Sequence, residues 1–122
     1  MDASAILALL RKEEGSEVVA QMISESIVST VNFSEVVAKL VERLVPPDDA
    51  EDIIRLLPCQ PVAFSLTHAA LAGKLRGQTR AAGLSLGDRA CLALAQNQGL
   101  AAITADRRWL DAGLDIDVRV IR

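Results

Sequence analysis

Apolar and polar positions divide the chain into short elements, and the clearest run lies between Leu84 and Asp106, LSLGDRACLALAQNQGLAAITAD. Ser85-Leu86-Gly87-Asp88 has the spacing of a capping box, Ala90 to Ala95 supply an apolar face, and Gly99 supplies a stop, which together predict a helix. Ala101 to Thr104 follows as a short strand, with Asp106 just past its end. In open α/β sheets ligands gather at the carboxyl ends of such strands.

The other elements follow from the same pattern. Ala5 to Leu10 predicts a short apolar helix with Asp2 as its cap and a break at Gly15, and Val18, Val19, Met22 and Ile23 recur at helical spacing in a second helix ending near Ser24. Ser26 to Thr30 is β-branched and predicts a strand. Asn32-Phe33-Ser34-Glu35 repeats the capping-box spacing, and Val36, Val37, Leu40, Val41 and Leu44 continue that helix to Pro46-Pro47. Asp48, Asp49, Glu51 and Asp52 crowd the first turn of the next helix, where the dipole and free N–H groups favour negative charge, so they need no binding site to explain them. Val62 to Phe64 predicts a strand, Thr67 to Ala82 a helix ending at Gly83, Arg107 to Ala112 a short helix and Val118 to Ile121 a last strand. Alternating strands and helices predict an α/β fold with a mostly parallel sheet and helices on both faces.

A chain of 122 residues suffices for one domain, expected to span 1–122. It has two Phe, one Trp and no Tyr, which argues against an aromatic platform for unpaired bases. The net charge of −3 gives no general reason to attract nucleic acid, but it is unevenly placed: residues 1–61 carry −6 and residues 62–122 carry +3, so a polyanion would be met by the second half. Cys59 and Cys91 lack CxxC spacing and predict reduced, cytosolic thiols. No leader pattern or membrane-length apolar run is present, so a soluble cytoplasmic protein without a membrane partner is expected.

Asp2, Glu35, Asp88 and Asp106 each stand at a predicted helix start. Helix starts attract acids, so each alone has a capping explanation. In a parallel sheet, however, the turns that lead from strand to helix share one edge, and that topology would bring the four together. Two like charges about 4 Å apart repel by roughly 4 kcal/mol at an effective dielectric near 20, so convergence demands a counter-charge. Lys or Arg could supply it, but oxygen-only ligands suit Mg²⁺ or Mn²⁺, which activate water and steady the leaving oxygen of a phosphodiester. His68, the single histidine, has no acid placed for a triad and reads as an ordinary surface or half-buried residue; Gly73-Lys74 lacks the spacing of a phosphate loop.

With these residues the sequence resembles the PIN domain, and most closely the VapC-type toxin ribonucleases of bacterial toxin–antitoxin pairs. The matching segments are Asp2-Ala3-Ser4-Ala5, Ser29 to Glu35, Leu84 to Arg89 and Thr104 to Trp109. The resemblance implies a three-layer fold on a five-stranded parallel sheet and a metal-dependent endoribonuclease in which Asp2, Glu35, Asp88 and Asp106 hold one or two Mg²⁺ or Mn²⁺ ions. By the same carry-over, Ser4 and Thr104 support the acids or their waters, and Arg107 and Arg108 meet the RNA backbone. It further implies a homodimer and a cognate antitoxin whose extended segment covers the acidic pocket. The chain departs from the family in one respect: only Met1 precedes Asp2, where members usually carry the apolar residues of the central strand. A start upstream of Met1, a trimmed sequence or a shortened first strand would each account for it. Two other readings use the same residues: a catalytically silent PIN-like domain that binds a protein partner, and a metal-dependent phosphatase on a similar sheet.

Overall fold

The computed structural model describes all 122 residues. Helix α1 (Ala3–Arg11) starts where the Asp2 carboxylate accepts from the Ser4 amide and stops where Lys12 turns left-handed, and α2 (Ser16–Met22) runs into a single 3₁₀ turn. The β-branched segment forms β1 (Ile27–Ser29), followed directly by α3 (Thr30–Val41). After it come α4 (Pro47–Arg55), β2 (Gln60–Val62), α5 (Leu66–Lys74) and α6 (Arg76–Thr79). The second half closes with α7 (Leu86–Gln98), β3 (Ala102–Thr104), a 3₁₀ turn over Arg107–Ala112 and β4 (Val118–Val120).

The sheet is parallel but divided, with β1 pairing with β2 and β3 with β4. Four strands are present, where the resemblance implies about five. Met1 and Asp2 lie between the two pairs: the Met1 amino group donates to the Ile27 carbonyl at 2.7 Å and the Asp2 amide to the Ile103 carbonyl at 2.8 Å, which joins the two strand pairs. Beyond Met1 an apolar groove of about 210 Å³, lined by Ile27, Leu94 and Ile103 among others, continues between the pairs.

Apolar packing covers both faces of this layer. Neighbouring strand residues point to opposite faces, and Ile103 joins a core built from Ile6, Val19, Val28, Val36 and Ile54, whereas Ala102 joins another built from Leu75, Leu84, Leu92 and Trp109. This gives the expected three-layer α/β arrangement. Both cysteines are free and buried. His68 is buried rather than half-exposed, with its Nε2 3.1 Å from Asn97 Nδ2 at the α5–α7 contact.

Four local expectations differ. Helix α3 ends at Val41 instead of running to Pro46-Pro47, and Leu44, expected on its apolar face, turns left-handed and is exposed. Helix α3 starts at Thr30 instead of Asn32, because the Ser29 hydroxyl caps it first by accepting from the Val31 amide at 3.3 Å. The second strand covers 60–62 instead of 62–64, since the Phe64 amide donates to Thr30 Oγ1 at 3.0 Å instead of extending the ladder. Pro61 is tolerated there because β2 lies at the sheet edge. The helix expected over 67–82 is broken into α5 and α6, with Gly73 and Gly77 on either side of the break.

Candidate active site

Asp2 leaves the centre of the sheet as the N-cap of α1, and its side chain is 3% exposed. Four donors surround the buried carboxylate. Oδ2 accepts from the Ser4 amide at 3.2 Å, the Ser4 hydroxyl at 2.5 Å and the Thr104 hydroxyl at 3.1 Å, while Oδ1 lies 3.4 Å from Asn32 Nδ2. Ser4 and Thr104 also touch each other at 3.1 Å, and the Ala105 and Asp106 amides donate to their hydroxyls. The hydroxyls therefore lock the start of α1 to the end of β3. Burial raises the Asp2 carboxyl above its ordinary value, the Ser4 bond opposes the rise, and the Asp88 charge adds to it.

Glu35 lies in the second turn of α3, one turn farther in than expected, because the helix begins at Thr30. Its Oε2 accepts from Asn32 Nδ2 at 2.9 Å, and the same nitrogen donates to the Gly87 carbonyl at 3.0 Å. Gly87 permits this approach: a Cβ there would fall on the Glu35 carboxylate. Burial raises the Glu35 carboxyl as well, the Asn32 bond lowers it, and the charges of Asp2 and Asp88 raise it further.

The other two acids are tied locally. Asp88 completes the predicted capping box of α7, accepting from the Ser85 amide at 2.7 Å while its own amide donates to the Ser85 hydroxyl at 3.2 Å. Asp106 caps the 3₁₀ turn by accepting from the Arg108 amide, and the Arg108 guanidinium grips it with Nε 3.0 Å from both oxygens and Nη2 2.5 Å from Oδ2. That ion pair holds the Asp106 carboxyl below its ordinary value despite some burial.

All four acids line one cavity of about 300 Å³, together with Ser4, Lys39 and Arg108. Four carboxylates face two cations there, and one of those, Lys39, reaches away to Glu42 Oε2 at 2.8 Å. Arg107 does not line the cavity; its Nη1 donates to the Arg122 carbonyl at 3.2 Å. Asn32, Gly87 and Lys39 were not among the expected site residues. The Asn32–Glu35 spacing predicts a cap; in the fold it instead aligns two side chains on one face of α3.

The donor set is all oxygen and carries surplus negative charge, which suits a hard divalent cation. As placed, no three of these side chains converge tightly enough to hold one ion. Asp106 is withheld by Arg108 and one Asp88 oxygen by the cap of α7. The cavity therefore fits such an ion in the chemistry of its donors and in charge, with its two outer acids engaged by protein partners.

Comparison with known proteins agrees with this fold. A solved structure, the DNA-bound VapBC complex from Salmonella typhimurium, contains a chain with the same fold at a TM-score of 0.74, covering 99% of this chain and 96% of that one at 16% identity. No curated protein sequence matches. No helix is long and apolar enough to cross a membrane. The PIN domain family matches residues 1–114, nearly the whole chain, and the protein belongs to that family.

Proposed function

We propose that this chain is a Mg²⁺- or Mn²⁺-dependent endoribonuclease that hydrolyses RNA phosphodiesters and acts as the toxin of a toxin–antitoxin pair. The observation that carries the reading is the placement of Asp2, Glu35, Asp88 and Asp106, drawn from four separate segments, around one cavity with two more carboxylates than cations. When bound there, the divalent ion supplies an activated water and stabilises charge on the leaving oxygen.

The protein's own groups divide the remaining work. Asp2 and Glu35 form the inner, pre-positioned half of the ligand set, with Ser4 and Thr104 orienting Asp2. Asp88 offers the oxygen not used by its cap, and Asp106 becomes available when Arg108 leaves it. A guanidinium that grips a carboxylate in a fork can grip a phosphate oxygen pair in the same way, so Arg108 moves from Asp106 to the RNA backbone as substrate enters. Arg107, on the exposed side of the same turn, adds a weaker backbone contact. The fold shared with a chain of the VapBC complex supports a cognate antitoxin as partner; that its extended segment covers this cavity, and that the protein forms a homodimer, follow from the family resemblance.

The test is incubation of the purified protein with mixed cellular RNA in Mn²⁺, in chelator, and as Asp106→Asn. Discrete fragments that need both metal and Asp106 are expected; cleavage that persists in chelator or in the variant refutes the assignment. A second reading, a silent PIN-like domain that binds a protein partner, draws on the ties that occupy Asp106 and Asp88. Under that reading millimolar Mn²⁺ leaves the melting temperature unchanged, whereas ligand binding to the folded state must raise it.

A further inference from the structure

Asn32 is fully buried in the first turn of α3, where helix formation does not call for it: Ser29 already caps the helix, and Asn is a poor helix former. Its side-chain nitrogen has three acceptors, Glu35 Oε2 at 2.9 Å, the Gly87 carbonyl at 3.0 Å and Asp2 Oδ1 at 3.4 Å. Two hydrogens therefore serve three oxygens, on the start of α1, on α3 and on α7. Asn32 Oδ1, by contrast, is buried without any partner. A buried unpaired acceptor is unfavourable. Turning the amide over would be worse, because it would set oxygen against two carboxylates and a carbonyl. The orientation follows from the need to donate to the acids.

We propose that Asn32 is a positioning residue for the metal-binding site: its neutral amide holds the Asp2 and Glu35 carboxylates against α7, beside Asp88. An Arg or Lys in this position would neutralise the acids and compete with a cation, whereas an amide restrains them and leaves their charge for the ion. The absence of a Cβ at Gly87 belongs to the same device, since it lets Glu35 lie against the backbone that Asn32 also grips. The proposal rests on the metal-dependent reading of the site.

The experiment is calorimetric titration of Mn²⁺ into the wild-type chain and into Asn32→Leu, which keeps the branched shape of Asn without its donors, with the melting temperature of each recorded in chelator. Mn²⁺ affinity is expected to fall by about 10- to 100-fold in the variant, as for other residues that orient metal ligands. The metal-free melting temperature should change far less than a simple packing role would require. Equal Mn²⁺ affinity in the two proteins overturns the positioning role and leaves the nuclease reading intact; absence of Mn²⁺ binding by the wild type overturns both. If Asn32→Leu does not fold by circular dichroism, Asn32→Ala is titrated in its place with the same two outcomes.

Discussion

Asp2 and Glu35 occupy one kind of environment and Asp88 and Asp106 another, although all four face the same cavity. The inner pair is held by neutral donors, the hydroxyls of Ser4 and Thr104 and the amide of Asn32, and burial raises both carboxyls. The outer pair is held by local turn contacts, Asp88 by the cap of α7 and Asp106 by Arg108, whose hydrogen bonds lower the Asp106 carboxyl. Neutral donors fix a carboxylate without cancelling its charge, whereas a guanidinium offsets it and competes with any other cation. The inner carboxylates are thus fixed by uncharged partners, and the outer pair by local turn contacts.

The largest effect is expected from removing the inner charge. Asp2→Asn should lower RNA cleavage by more than about 100-fold, beyond the range typical of residues that only orient ligands. The same change should raise the melting temperature at neutral pH in chelator. The Asp2 carboxyl is raised in the folded state above its ordinary 3.8, so the unfolded chain ionises first as pH increases, and stability is lost through that window until the folded carboxyl ionises. The variant escapes this loss. Its advantage in melting temperature should vanish below the ordinary value, where both states of the wild type are protonated, and calorimetric scans across acid and neutral pH would show it. A variant no more stable than the wild type at neutral pH would mean that the four donors fully compensate the buried charge.

Gly87→Ala sharpens the comparison at intermediate size. The added methyl displaces Glu35 and leaves Asp106 and Arg108 untouched, so cleavage should fall by about 10- to 100-fold. Overpacking of this kind costs about 1–3 kcal/mol, which urea denaturation would register. Activity equal to the wild type would show that Glu35 can move without loss.

Arg108→Ala addresses the outer half and should have the smallest effect. Freed from its partner, Asp106 should bind Mn²⁺ a few-fold more tightly by titration, while KM for RNA rises as a phosphate contact is lost. Stability should barely change, because an exposed ion pair contributes little. The Asp106 carboxyl, now held below its ordinary 3.8, would return toward it, so the acid limb of Mn²⁺ binding should move to higher pH. Unchanged Mn²⁺ affinity would mean that Arg108 does not compete for Asp106.

The α/β class, the parallel pairing and most element positions could be read from the chain because they depend on nearest neighbours in sequence. The capping box at Ser85–Asp88 and the left-handed Gly99 that ends α7 are local devices, and both stand where their spacing predicted. Asn32–Glu35 shows the limit of such reading, since one spacing serves a cap or a pair of facing side chains and Ser29 decided between them. The break between α5 and α6 and the placement of β2 likewise depend on contacts that local patterns do not record.

What the sequence by itself determined is the inventory: four carboxylates at predicted helix starts, two hydroxyls beside them, and neither a histidine placed for a triad nor a phosphate loop to support another chemistry. Only the tertiary structure decided how those acids differ. Met1 and Asp2 bridge the two strand pairs, which buries Asp2 between them. The α3–α7 contact sets Asn32 and Gly87 around Glu35, and the turn after β3 folds Arg108 back over Asp106. A carboxylate's charge state depends on desolvation and on donors brought from distant segments, and those are fixed only once the chain has packed.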